Sequence, residues 1–150
     1  MENPKLFGEL LALLQTEWEI LEHVVDLSEH QQQALVRFES DRIEVIAQEQ
    51  ERLSKQMHEC ENKRFEIISM ALGISNKEAR ALTLSELIQH VEPQFADSLV
   101  NIRQKMSVLV TKLQFLNTVN RVLALRGRNS VRNTLDYIRN ERMHVVNTSL

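Results

Sequence analysis

Residues 95–123 read FADSLVNIRQKMSVLVTKLQFLNTVNRVL. Phe95, Leu99, Ile102, Met106, Leu109, Leu113 and Leu116 recur in alternating steps of four and three. That spacing puts all of them on one stripe of an α-helix, as in a coiled coil. The next stripe positions are Asn120, Leu123, Gly127, Ser130 and Thr134, so the stripe turns polar or small after Leu116. Val131, Leu135 and Ile138 carry an apolar line further, displaced to one side. Pro93 fits the first turn of this helix, where its missing N–H costs nothing. Run on to Arg142, the helix would span roughly 75 Å at 1.5 Å per residue.

Two earlier segments show the same periodicity. Phe7, Leu11, Leu14, Trp18, Leu21 and Val25 form one stripe, which meets Ser28 and Gln32 before Leu35 resumes it, over a helix of about 5–38. Asp41, with Glu44 three residues on, reads as the N-cap of a second helix over 42–72. Ile46, Leu53, Cys60 and Ile67 recur at sevens there, with Ile43 and Met57 between, and Gly73 fits a left-handed C-cap. Residues 74–82 read as a linker. Thr83 and Glu86 form a capping box that opens a short helix ending near Val91. These elements predict an all-α fold without strands: an elongated antiparallel bundle of three long helices plus one short helix, coiled-coil-like, with a protruding C-terminal helix. Residues 1–116 are the expected bundle, 117–142 its extension and 143–150 a tail, within one domain. Leu14, Trp18, Leu21, Leu53, Met57, Leu109 and Leu113 are the expected core. The first two helices are about 45–50 Å long, so some 25 Å of the last one has nothing beside it.

Composition narrows the function. Three glycines and two prolines in 150 residues leave no room for a glycine-rich phosphate loop and suit long helices with short turns. No apolar run reaches the 18 or so residues a membrane span needs. The acidic opening MENPKLFGELLALLQTEWEI does not resemble a secretory signal, and a single cysteine suits a cytoplasmic location. The net charge of −3 is unevenly divided. Arg121, Arg126, Arg128, Arg132, Arg139 and Arg142 face only Asp136 and Glu141 after residue 120, giving +4 there and −7 before it.

Sites for chemistry are missing from the pattern. Carboxylate-bridged metals in bundles need a glutamate three residues before a histidine on each of two facing helices; of His23, His30, His58, His90 and His144 only His144 has one, Glu141, so the pair is missing. His58 and Cys60 point in different directions on a helix, and a second cysteine for zinc is lacking. Cys60 and Trp18 lie on apolar stripes and read as core residues. The arginines of the last helix could meet nucleic acid. Stacking aromatics are reduced to Tyr137, however, and the rest of the chain is acidic. The expectation is therefore a protein that is not an enzyme and needs no metal or cofactor.

The segment Leu113-x-x-Leu116-Asn117-x-x-Asn120-x-x-Leu123 resembles the Leu-Asn-x-x-Asn signature in the last long helix of FlgN-type flagellar export chaperones. The resemblance extends back through LLQTEWEILEHVVDLSEHQQQAL, FESDRIEVIAQEQERL and KRFEIISMALGIS, over residues 8–138. It implies a cytoplasmic chaperone for the hook–filament junction proteins FlgK and FlgL. Such a chaperone binds the client's C-terminal amphipathic helical segment through its own C-terminal helix and delivers it to the flagellar export gate and ATPase machinery. Some members carry a flexible tail with a tyrosine used at the gate. Tyr137 lies within the helical pattern instead, and that role is not transferred to it.

Leu116, Asn117, Asn120, Leu123, Leu125, Val131, Leu135 and Ile138 are accordingly the expected partner-binding residues. The free protein is expected to be a monomer or weak dimer, with neither stable membrane insertion nor a nucleic-acid ligand. Asn117 and Asn120 have two readings. They hydrogen-bond a client and fix its register, or they bond within the bundle and mark where it stops. An unpaired stripe also suits a homo-oligomeric coiled coil, and the arginines leave nucleic-acid binding as a lesser alternative.

Overall fold

The computed structural model describes residues 3–149, and the side chains of residues 3–140. Five helices follow one another: α1 (Pro4–Val36), α2 (Ser40–Leu72), α3 (Asn76–Ala81), α4 (Leu84–Gln89) and α5 (Pro93–Ser149). No strand occurs among the described residues. α1 opens on Asn3, whose side chain accepts the Lys5 N–H at 3.0 Å, with Pro4 in the first turn. α2 closes on Gly73 in the left-handed conformation (φ 65°, ψ 33°), as expected from sequence.

Two boundaries differ from the sequence reading. Asp41 does not cap α2, which is helical from Ser40 with Glu39 at the cap position and no side-chain cap. The α1–α2 turn is too short for the expected cap. The N–H of Glu39 still closes α1 by donating to Ala34 O at 3.0 Å, and the next residue is already helical. Residues 74–82 are not a plain linker either, because they contain α3. Ser75 Oγ accepts the Glu78 N–H at 3.1 Å while the Glu78 carboxylate accepts the Ser75 N–H at 2.9 Å. This reciprocal box repeats at Thr83 and Glu86, at 3.2 and 2.7 Å, to start α4. The fold thus has two short helices rather than one. Each contributes one buried side chain, Ala79 and Leu87, that folds the connection onto the core.

The long helices run up, down and up. Glu17 meets Arg64 and Gln31 meets Gln50, so α1 and α2 are antiparallel. Phe7 stacks on Phe95 (ring centroids 4.1 Å apart) and Lys105 lies over Trp18, so α5 is parallel to α1. α1 is the central element, packed on both others, whereas α2 and α5 do not approach each other closely. The densest packing lies where all five helices meet: Phe7, Leu10, Leu14, Ile67, Ile68, Ala79, Leu87, Leu99 and Ile102 form one buried cluster. Further along, a furrow opens between α2 and α5. Of the expected core, Leu14, Leu21 and Leu53 are buried, but Trp18, Met57, Leu109 and Leu113 are only half-buried. Leu21, Leu53, Met57 and Leu113 line that furrow, and Met57 and Leu113 are partly open to it.

One acid is sealed inside. The Glu17 carboxylate is fully buried, accepts from Arg64 Nη1 at 2.6 Å through Oε2, and has no partner for Oε1. Burial pushes its pKa up from 4.5 to about 7, Arg64 opposing this and Glu61 adding to it. Cys60 is half-buried, and burial, with the Glu17 charge beside it, pushes its thiol pKa up.

Candidate functional site

The end of the bundle is set by a polar layer. Asn120 is buried on the α1-facing side of α5, where the heptad asks for an apolar residue. Its Nδ2 donates to Ser28 O at 2.9 Å and to Gln31 Oε1 at 3.2 Å, and Gln50 Nε2 donates to the same Gln31 oxygen at 3.0 Å. One chain of hydrogen bonds therefore ties α2 to α1 and α1 to α5. The break in the first stripe at Ser28 and the break in the last at Asn120 are one layer seen from two helices. Asn120 Oδ1 and Ser28 Oγ are buried without a protein partner and border a cavity of about 460 Å³ that Asn117 and Arg121 help line. Leu116 is buried, and Asn117 is exposed. Of the two readings of the asparagines, the bundle-internal one fits Asn120, and the outward one remains for Asn117.

Beyond this layer the neighbours of α5 run out. With 57 residues α5 is about 85 Å long, against about 50 Å for the 33 residues of α1 or α2. It runs past the expected Arg142; the side chains of the tail 143–150 lie outside the described residues. At 3.6 residues per turn, Asn120, Gly127, Val131, Leu135 and Ile138 share the face that packs on α1 lower down. After Gly127 that face is bare: Val131 and Leu135 are each 57% exposed and Ile138 50%. Leu123 is half-buried at the junction. Leu125 is exposed about a third of a turn round the helix from Val131, so the structure does not bring it together with the others.

Charge follows the same boundary. Arg37, Arg42, Arg52, Arg64 and Arg80 each hold an acid or an amide oxygen. Arg121, Arg126, Arg128, Arg132 and Arg139 form no ion pair among the described residues. The bare face is thus apolar with arginines beside it. A second cavity, of about 340 Å³, lies where α5 leaves the bundle, lined by Leu35, Phe38, Ile43, Leu123, Gly127 and Val131. Leu35, Phe38 and Ile43 carry no site signal in the sequence. They join the site only because the α1–α2 turn lands beside Gly127.

Among the described residues no group of three or more metal-ligating side chains occurs, and no helix is long and apolar enough to cross a membrane. The arrangement can hold another helix. It offers an apolar face, flanking cations and a polar stop where the bundle begins.

No curated protein and no solved structure matches the sequence. The sequence model of the family described as FlgN protein matches residues 1–148. Nearly the whole chain is matched, and the chain belongs to the FlgN family of flagellar export chaperones.

Proposed function

We propose that this chain binds the C-terminal amphipathic helical segment of the hook–filament junction proteins, FlgK- and FlgL-like, in the cytoplasm. It masks the apolar face of that segment until the client reaches the export gate and ATPase machinery. Binding and release suffice; no bond is made or broken. The observation that carries this reading is the uncovered continuation of a packed face. Val131, Leu135 and Ile138 occupy positions that α1 would cover if it were longer. A client helix laid along α5 takes the place of the missing length of α1. Exposed apolar area of this kind marks a partner site. The unpaired arginines steer acidic clients to it and discourage pairing of two basic extensions.

Titration calorimetry with a synthetic client C-terminal peptide tests the reading. Val131→Glu with Leu135→Glu should abolish binding while the circular-dichroism spectrum and melting curve of the bundle stay unchanged. The same stripe supports a second reading, closure by self-association through α5. A chain that sediments as a stable dimer, loses the dimer in the double variant and ignores the peptide would establish that reading instead.

A further inference from the structure

α1 and α2 end in the same turn but with opposite residues. Each closes through a residue in the left-handed region, and the N–H of the residue after it donates back five positions: Glu39 to Ala34 O at 3.0 Å, Ile74 to Ser69 O at 3.2 Å. In α2 the left-handed residue is Gly73 at φ 65°. In α1 it is Phe38 at φ 56°, the one non-glycine with positive φ among the described residues. A side chain there brings Cβ against the neighbouring carbonyl, a strain that glycine avoids and that is unusual for an aromatic.

Across the interface the choice is reversed. Gly127 sits in the interior of α5, where alanine would favour the helix. A Cβ at that position would lie 3.2 Å from Phe38 Cε1, so the ring rests against the open side of Gly127 and would have to give by a few tenths of an ångström to admit a methyl group. Two positions therefore depart from local preference towards each other. The ring gains little burial from this, being 63% exposed. Its placement forms one wall of the cup of Leu35, Ile43, Leu123, Gly127 and Val131, at the spot where the bare face of α5 begins. Strain that leaves an aromatic ring in solvent points to a function outside the bundle.

We infer that Phe38 is an anchor for the partner helix, a reading that rests on the function proposed above and adds a specificity-determining residue to it. The occupant of the cup is one apolar side chain at the end of an amphipathic helix flanked by acids. The acids are called for by Arg128 and Arg132, which stand beside the cup and along the bare face without ion pairs, Asp136 being the nearest acid on the helix. Through Phe38 the α1–α2 turn sets how far the partner can slide towards the bundle, and so its register.

The test sets stability against binding in the full-length chain. Phe38→Gly relieves the left-handed strain, so its urea midpoint should equal or exceed the parent's. Its affinity for a synthetic client C-terminal peptide, by calorimetry, should fall about tenfold or more, as for a lost aromatic hot spot. Phe38→Asn, which also tolerates the left-handed region, should behave alike. A lowered midpoint in both variants would show that the ring only holds the bundle together and would overturn the inference. Peptide binding at parental affinity by Phe38→Gly, alongside lost binding by Val131→Glu/Leu135→Glu, would overturn the anchor and leave the client site standing. Failure of the parent to bind, or undiminished binding by the double variant, would remove both. Loss of self-association or of oligonucleotide binding in Phe38→Gly, with peptide binding unchanged, would give the cup to a second copy or to nucleic acid and overturn it as well.

Discussion

Replacing Glu17 with glutamine should make the stability of the bundle much less dependent on pH. Glu17 is buried beside Arg64, and its pKa is raised from 4.5 to about 7 because burial outweighs the pairing. Well below pH 4.5 the carboxyl is protonated in both the folded and the unfolded chain, and it has no bearing on the pH slope. Between about pH 4.5 and 7 the unfolded chain releases this proton while the folded chain keeps it, so stability falls as pH rises. Above about pH 7 both forms are ionised and the slope ends. A rise from 4.5 to about 7 is worth at most about 3 kcal/mol for a group paired with arginine. Glutamine keeps an oxygen for Arg64 and has no proton to lose. Urea titrations of parent and Glu17→Gln at half-unit steps from pH 4.5 to 8 read the difference directly. The parent should lose about 2–3 kcal/mol more than the variant across that range. Parallel curves for the two proteins would refute a raised pKa at Glu17, and a parent that gains stability on Glu17 ionisation would reverse the sign of the argument.

Further outcomes follow from the same packing. Leu53→Ala empties a site that is 2% exposed between α1 and α2 and should cost about 2–5 kcal/mol in urea melts. Ser75→Ala or Thr83→Ala removes one half of a capping box and should cost about 1 kcal/mol each, with the long helices intact by circular dichroism. If the unpaired arginines of α5 steer the client, association should slow as salt rises from about 0.05 to 0.5 M, whereas dissociation changes little, measured by stopped-flow fluorescence. Asn120→Ala should loosen the link between α1 and α5 and cost about 1–3 kcal/mol by removing the donor to Ser28 O and Gln31, read as a lower urea midpoint.

The fold was legible where periodicity was long. Three stripes of alternating four and three gave three long helices, and Gly73, Pro93 and Thr83 marked their punctuation correctly. α3 was present in the sequence as Ser75 and Glu78, the same box as Thr83 and Glu86, but its NKEARA lacks the large apolar side chains that Leu84, Leu87 and Ile88 give α4. The half-burial of Met57, Leu109 and Leu113 could not be read from any single stripe. It depends on α2 and α5 standing apart on either side of α1, which is a matter of three-dimensional angles rather than spacing. Ser28 and Asn120 each announced a defect in a stripe, yet only the folded chain shows that one answers the other across 92 positions. Phe38 left no trace at all. A left-handed backbone is invisible where the residue is not glycine, and Gly127 reads as a weak helix position until the ring is seen resting on it.

The most direct measurement compares two chains, the intact protein and one ending at Arg128, for binding to a client C-terminal peptide by calorimetry. The shorter chain retains the polar layer at Asn120 and the seat at Gly127, and it should melt as a folded helical bundle. The intact chain should bind the peptide with a heat-capacity decrease that reports buried apolar surface, and the shorter chain should give no measurable heat. Equal affinity of the two chains would contradict the account, because the client would then lie somewhere other than the bare face of α5.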